Sequence, residues 1–494
     1  MLYYSTRDIE RKRGYTSAEA IKKGLADDGG LFIPESIPTL SENDVKELCA
    51  LPYCVRAARI LSAFLSDYTY DELLSDCRAA YSESSFVGGA APLNNVEKGI
   101  YTLELWHGPT AAFKDMALQI MPRLLSRALV KTNETRTALI LVATSGDTGK
   151  AALEGYKDVP GVKIMVYYPV DGVSRVQKLQ MATQTGDNVA VCAIRGNFDD
   201  AQNGVKAIFA DAEMAKQLDD NGYILSSANS INWGRLAPQI VYYVSAYCDL
   251  LNDGKISFGD KMNVCVPTGN FGNIFAAYIA RLMGLPIGKL ICASNENKVL
   301  TDFFNSGVYN RNRAFHMTTS PSMDILISSN LERLLYFAAG AERTADYMAK
   351  LKSNGEYSVS NDILSSIGSD FKGYFANEAE TAATIRSCFN DNGELIDTHT
   401  AVALCCAKKY ISESGDDTVM VVASTASPYK FAADVYAALT DKKPEDALAA
   451  LDMLKNDTKT EIPYPLKDIA TRKIRFTDVI DAAEMADTVL KFAK

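Results

Sequence analysis

Histidine and tryptophan are scarce in this chain, with three and two copies among 494 residues. Ten cysteines occur but no CxxC pair, so a zinc cluster of histidines and cysteines is excluded, and no metal site is expected. No apolar run reaches the roughly eighteen residues needed to span a bilayer. The opening stretch, Met1 to Gly14, is rich in charge and has no apolar core of the kind a secretory signal carries, so none is expected. A surplus of basic residues is also missing. Fifty-one Lys and Arg against 61 Asp and Glu leave a net charge of -10, which repels phosphate backbones and anionic lipid. Nucleic acid and membranes are therefore not expected partners. An anionic substrate would need positive groups supplied locally, against the field of the whole chain.

What is present is ordinary globular composition, 47% hydrophobic and 23% charged. The length exceeds one ordinary core, so two or three domains are expected. Most cysteines sit inside apolar runs, as in Val264-Cys265-Val266, and read as reduced core residues of a cytoplasmic protein.

Residues 1–98 read mainly as helices with polar breaks, one opening at Ser17. From residue 100 short β-branched runs alternate with helical patterns. Strands are expected at Ala138 to Thr144, Val162 to Tyr168, Val189 to Ile194, Met262 to Val266, Leu290 to Ala293 and Val419 to Ala423. Helices are expected at Lys114 to Val130 and Arg235 to Leu251. This βαβα order predicts an α/β fold with parallel-rich sheets, divided into α/β bodies at 99–235 and 236–494. Residues 310–410 read as a mostly helical insertion in the second body.

Three strand–turn–helix junctions stand out. Ser145-Gly-Asp-Thr-Gly149 and Gly269-Asn-Phe-Gly-Asn273 each follow a strand and open a helix, where successive backbone N–H groups can face an anion. Neither has the spacing of a nucleotide loop. Alone, each is equally a glycine turn. Ala423-Ser-Thr-Ala-Ser427 ends a third strand before Pro428, and Ser424 and Thr425 alone read as helix caps. Three such junctions predict a crevice at the carboxyl ends of the strands.

Lys114 follows Thr110, a plausible N-cap, which would place it in the first or second helical turn. The helix dipole there disfavours an ammonium and favours the free amine a Schiff-base lysine needs. Arg235, at the helix start after Ser227-Ala-Asn-Ser-Ile-Asn-Trp-Gly, opposes its dipole unless an anion sits there. Taken alone, Lys114 reads as a solvated surface lysine, as nearly all helical lysines are, and Arg235 is equally a solvated arginine on a capped surface helix.

Together the segments Gly108–Gln119 (GPTAAFKDMALQ), Thr144–Gly149 (TSGDTG), Asn229–Arg235 (NSINWGR), Thr268–Asn273 (TGNFGN) and Ser424–Pro428 (STASP) resemble the threonine synthases of the bacterial and fungal subgroup, which are fold-type II pyridoxal-phosphate enzymes related to tryptophan synthase β. The opening, Ser5-Thr-Arg-Asp with Gly24 to Pro38, is similar too, so the likeness covers nearly the whole chain.

The resemblance implies a cytoplasmic, monomeric or homodimeric lyase of threonine biosynthesis. It would convert O-phospho-L-homoserine and water to L-threonine and phosphate by γ-elimination and β-addition. By resemblance Lys114 is the Schiff-base and catalytic lysine. Gly269, Asn270, Phe271, Gly272 and Asn273 hold the cofactor phosphate, Thr425 meets the pyridine nitrogen, and Asp147 faces the 3′ oxygen. Ser145 and Thr148 hold the substrate carboxylate, while Asn229 and Arg235 hold the substrate phosphate. Ser427 and Thr398 depart from the residues many members carry, His and Pro. The alternatives are a phospho-lyase releasing 2-oxobutyrate, or a serine/threonine dehydratase of the same fold. From another class, a non-catalytic binding protein is disfavoured by the retention of Lys114.

Overall fold

The computed structural model describes every residue except Ser145 and Gly172. Fifteen strands occur among the described residues. In chain order they are β1 Tyr3–Ser5, β2 Phe32–Pro34, β3 Leu93–Glu97, β4 Ile100–Glu104 and β5 Thr137–Ala143. Then come β6 Val162–Pro169, β7 Val189–Arg195, β8 Tyr223–Ser226, β9 Met262–Pro267 and β10 Ile287–Ser294. The last are β11 Val308–Asn310, β12 Glu356–Ser358, β13 Phe371–Phe375, β14 Met420–Ser424 and β15 Val479–Asp481.

Two sheets carry the fold. One is five-stranded and wholly parallel, in the order β15-β7-β6-β5-β8. The other has six strands in the order β13-β10-β9-β14-β4-β3, parallel except at the β3–β4 edge. Central parallel strands are covered on both faces and so read as continuous apolar runs. β9 is buried along its whole length. Burying side chains such as Val264, Val266 and Ile291 stabilises the fold by about 1.5–3 kcal/mol each, so the strands are committed to packing and the chemistry falls to the loops after them.

The expected strands all form, within three residues at each end. Several expectations are corrected. The N-cap of the first helix is Thr16, in a capping box with Glu19, and Ser17 is its first helical residue. The helix expected over 114–130 is two helices, Asp115–Leu118 and Met121–Lys131. Proline lacks an N–H and fits most readily in a first turn, and the helix restarts just before Pro122. The 310–410 region contains β13, the edge strand of the six-stranded sheet. The expected bodies 99–235 and 236–494 exchange strands: β4 lies in the sheet of β9, β10 and β14, while β15 closes the sheet of β5 to β8. No described helix is long and apolar enough to cross a membrane.

Candidate active site

The strands β4, β5, β8, β9 and β14 each end in a loop that carries one of the motifs, and backbone hydrogen bonds lace two of these loops together. Leu105 N donates to Ser424 O at 2.9 Å, Phe113 N to Thr425 O at 2.8 Å, and Ser427 N to Ala111 O at 3.1 Å. Ala112 and Ala426 form an antiparallel bridge. Lys114 is thereby fixed beside the third junction. Thr110 is not the N-cap expected for it. Lys114 itself caps the helix Asp115–Leu118, because the Asp115 carboxylate reaches back to Thr110 N and Oγ1, both at 2.8 Å, and folds 110–114 into a tight turn. Burial raises Asp115 to about 6, against the Thr110 hydrogen bonds and Lys430.

Lys114 Nζ lies 3.1 Å from Ser322 Oγ and 3.8 Å from Asp147 Oδ2. Burial takes its pKa down to about 8, with Asp147 opposing and Lys430 and Arg235 reinforcing the shift. The amine is thus held near the point where it can both give and take a proton at neutral pH.

Asp147 opens the helix Asp147–Tyr156. The residue before it, Gly146, has φ of 143°, and a Cβ there would meet the Gln177 amide at 2.5 Å, so only glycine serves. Gln177 Nε2 donates to Asp147 Oδ1 at 2.7 Å and Lys430 Nζ approaches the same oxygen at 3.0 Å. Burial pushes the Asp147 carboxyl up, but Lys430 and Lys114 outweigh it and hold the group well below the usual carboxylate range. Thr148 is half-buried in the same first turn. Ser145 lies outside the described residues.

The loop Gly269–Asn273 runs into the helix Gly272–Leu282, with Phe271 at φ 66° as its N-cap. A Cβ on Gly269 would come within 2.7 Å of the Ser322 carbonyl oxygen. Asn273 is buried and accepts from Tyr243 Oη, yet its Nδ2 has no partner among the described residues. An orphaned buried donor costs about 1–3 kcal/mol. It lies in the first turn of an eleven-residue helix, where free backbone N–H groups also converge. This donor set fits a phosphate. Asn270 is exposed, its carbonyl accepting from Asn330 N at 3.1 Å and Asn330 Nδ2 at 2.9 Å. Thr425 is 5% exposed, at the end of β14.

Arg235 is the third residue of the helix Trp233–Asn252. It is buried and donates to the Ala228 carbonyl at 3.0 Å, with no carboxylate in ion-pair range among the described residues. Burial brings it to about 10. Asn229 sits on the exposed part of the same loop. Asn232 ties that loop to the N-terminal region, donating to Ile21 O at 2.9 Å and capping Gly234 N. Around Lys114 the fold therefore gathers Lys430 and Arg235, a local positive field in an acidic chain.

Three side chains of the site carry no motif in the sequence. Ser322 reaches Lys114 from the turn Pro321–Met323, and its N–H donates to His399 Nε2 at 3.1 Å. That leaves His399 Nδ1 as the proton-bearing nitrogen facing Asp397 Oδ2 at 2.7 Å. Neither Ser322 nor His399 announces itself, because Ser322 meets Lys114 across 208 residues and His399 meets Ser322 across 77. Lys430 had one legible signal: it is a lone charge between Tyr429 and the apolar run Phe431 to Ala433.

Comparison with known proteins decides the family. Residues 2–81 match the model of the threonine synthase N terminus, 89–425 that of pyridoxal-phosphate dependent enzymes, and 400–489 that of the threonine synthase C-terminal region. The threonine synthase of Pseudomonas aeruginosa is 36% identical over 477 residues, 95% of this chain and 97% of that protein. The chain belongs to the threonine synthase family of pyridoxal-phosphate dependent enzymes.

It shares 40% identity over 440 residues with the human protein named threonine synthase-like 1, covering 86% of this chain. The chain spans 58–61% of the length of the threonine synthase-like 1 relatives from four mammals. Among solved structures, a PLP-bound threonine synthase from Brucella melitensis superposes with a TM-score of 0.89 at 36% identity, covering all of both chains. The yeast threonine synthase gives 0.89 at 34%, covering 100% of this chain and 98% of that one. The expected fold-type II architecture and the pyridoxal phosphate cofactor of this family hold.

Proposed function

We propose that the chain makes L-threonine and phosphate from O-phospho-L-homoserine and water. The observation that carries this reading is Arg235, a buried guanidinium with no described carboxylate in ion-pair range, on the helix that packs against the one bearing the phosphate-type donor set at Asn273. Two separate positive positions suit two phosphates, one on the cofactor and one on the substrate. A dehydratase acting on an unphosphorylated amino acid has no use for the second.

In this proposal Gly269, Asn270, Phe271, Gly272 and Asn273 hold the cofactor phosphate on backbone and amide N–H groups, and Lys114 anchors the cofactor. Thr425 meets the ring nitrogen and Asp147 faces the 3′ oxygen. When bound, the cofactor supplies an electron sink for charge developing at the substrate's α and β carbons. The chain supplies the rest. Ser145 and Thr148 orient the substrate carboxylate. Lys114 Nζ removes the Cα proton and passes it to the substrate phosphate, removes a Cβ proton as the phosphate leaves, and then gives that proton to Cγ, while Cα regains a proton when water adds. Arg235, with Asn229 at the cleft edge, meets the growing charge on the departing oxygens. Water adds at Cβ. A cytoplasmic setting belongs to the same proposal, supported by cysteines that serve as core side chains, seven of the ten being buried.

The source of oxygen tests the reaction. In ¹⁸O-water the threonine hydroxyl should carry solvent oxygen and the released phosphate none, because the bond that breaks is Cγ–O. Label in the phosphate would mean attack at phosphorus and would contradict the proposal. Thr425 gives a second test. Thr425→Val should keep the fold, since the side chain is buried and nearly isosteric, and should weaken cofactor binding by about 0.5–1.5 kcal/mol, read by equilibrium titration of the apo-protein. An unchanged affinity would leave Thr425 with no role beyond ending the strand.

A further inference from the structure

Lys430 has no place in the roles above, yet its side chain is completely buried, at 0% exposure. It lies in the turn Pro428–Phe431, donates to the Thr110 carbonyl at 2.7 Å, and pairs with Asp147 Oδ1 at 3.0 Å. The other oxygen of the same carboxylate is 3.8 Å from Lys114 Nζ. Two lysines, Lys430 fully buried and Lys114 mostly so, thus compete for one carboxylate, and Lys430 holds the shorter contact. A lysine is not sealed in an interior without a compensating group, and here the compensation is taken from the neighbour of the anchoring amine.

The arrangement has a direct consequence. With Lys430 absent, Asp147 would be the private counter-ion of Lys114 and would favour its ammonium. With Lys430 present, the carboxylate is neutralised from the other side. Lys114 then faces Lys430 and Arg235 as like charges, Asp147 as a shared one, Asp115 on its own helix, and the neutral Ser322 hydroxyl.

We propose that Lys430 is a positioning residue: it engages Asp147 in its own ion pair and so keeps the Lys114 amine free to condense with an aldehyde. The direction of the Lys114 titration agrees. Burial is the largest influence, Asp147 opposes it, and Lys430 and Arg235 reinforce it. A role confined to pinning the Thr110 carbonyl would leave Lys114 chemistry unchanged, and that is the distinction to test.

The test uses the full-length apo-protein and no substrate, so it is independent of the reaction assigned above. Lys114 is acylated with trace acetic anhydride across a pH series and the modified peptide quantified by mass spectrometry. The rate of pyridoxal phosphate loading is followed by absorbance over the same range. The wild type should reach half-maximal Lys114 reactivity near pH 8. Lys430→Met should move that midpoint upward by about one pH unit or more, lowering reactivity and loading at neutral pH about tenfold. Lys430→Met/Asp147→Asn, which removes both members of the pair, should return the midpoint to within about half a unit of wild type. Asp147→Asn alone leaves two cations beside Lys114 and should lower it. An unchanged midpoint in Lys430→Met, or a double variant as shifted as the single one, overturns the proposal. If Lys430→Met does not fold, Asp147→Asn decides: a midpoint at or above wild type overturns it.

Discussion

Lys114→Ala is expected to lower turnover by about three orders of magnitude or more while leaving a folded protein that still takes up pyridoxal phosphate. One amine would serve as both cofactor anchor and proton carrier at Cα, Cβ and Cγ, so its loss removes several steps at once. The fold should survive because truncation does not strand a buried carboxylate. Asp147 keeps Lys430 at 3.0 Å and the Gln177 amide at 2.7 Å. Cofactor uptake should persist because Gly269–Asn273 lies on a different strand end and its donors do not depend on Lys114. Borohydride reduction of the wild type should fix the cofactor to Lys114, and peptide mapping gives the site. Lys430 is the informative competitor, since it is buried in the same cleft. Label on Lys430 would reverse the two roles.

Arg235→Lys is expected to reduce kcat/KM for O-phospho-L-homoserine about tenfold to a thousandfold, roughly 1.4–4 kcal/mol. A guanidinium presents two parallel N–H groups to a phosphate, a geometry that a single ammonium cannot reproduce. The charge on the phosphate rises as Cγ–O breaks, so the loss should fall on kcat as well as KM. The wild-type arginine already donates to the Ala228 carbonyl, which fixes its direction, and the shorter lysine should lose that support too. Cofactor content should stay normal. Equal activity of variant and wild type on this substrate would remove Arg235 from the site.

The sequence made the parallel strands legible because β9 and β14 are buried on both faces and their apolar runs end abruptly at Thr268 and Ser424. The loops after them were legible for the same reason: a glycine-rich or small-residue turn between a buried strand and a helix has few physical uses. What stayed hidden is of another kind. β15 is three residues with an exposed, half-buried, exposed pattern, too short to show a period. The break at Gln119–Ile120 needed the weight of Pro122 to be set against a helical pattern that runs through it. Ser322 meets Lys114 only through tertiary folding, across 208 residues, and His399 meets Ser322 across 77. Lys430 sits three residues past Ser427, and nothing in that spacing says that its ammonium turns inward to Asp147. The motifs marked where anions would bind and also supplied Asp147 and Arg235 near Lys114, whereas Lys430 and Ser322 came from segments with no motif of their own.

The most direct test of the central claim is an end-point assay of the purified protein, loaded with pyridoxal phosphate, on O-phospho-L-homoserine, with threonine, 2-oxobutyrate and phosphate quantified together. Threonine and phosphate should form in equal amounts with little 2-oxobutyrate. Phosphate accompanied by 2-oxobutyrate and no threonine, or no phosphate at all, would contradict the account.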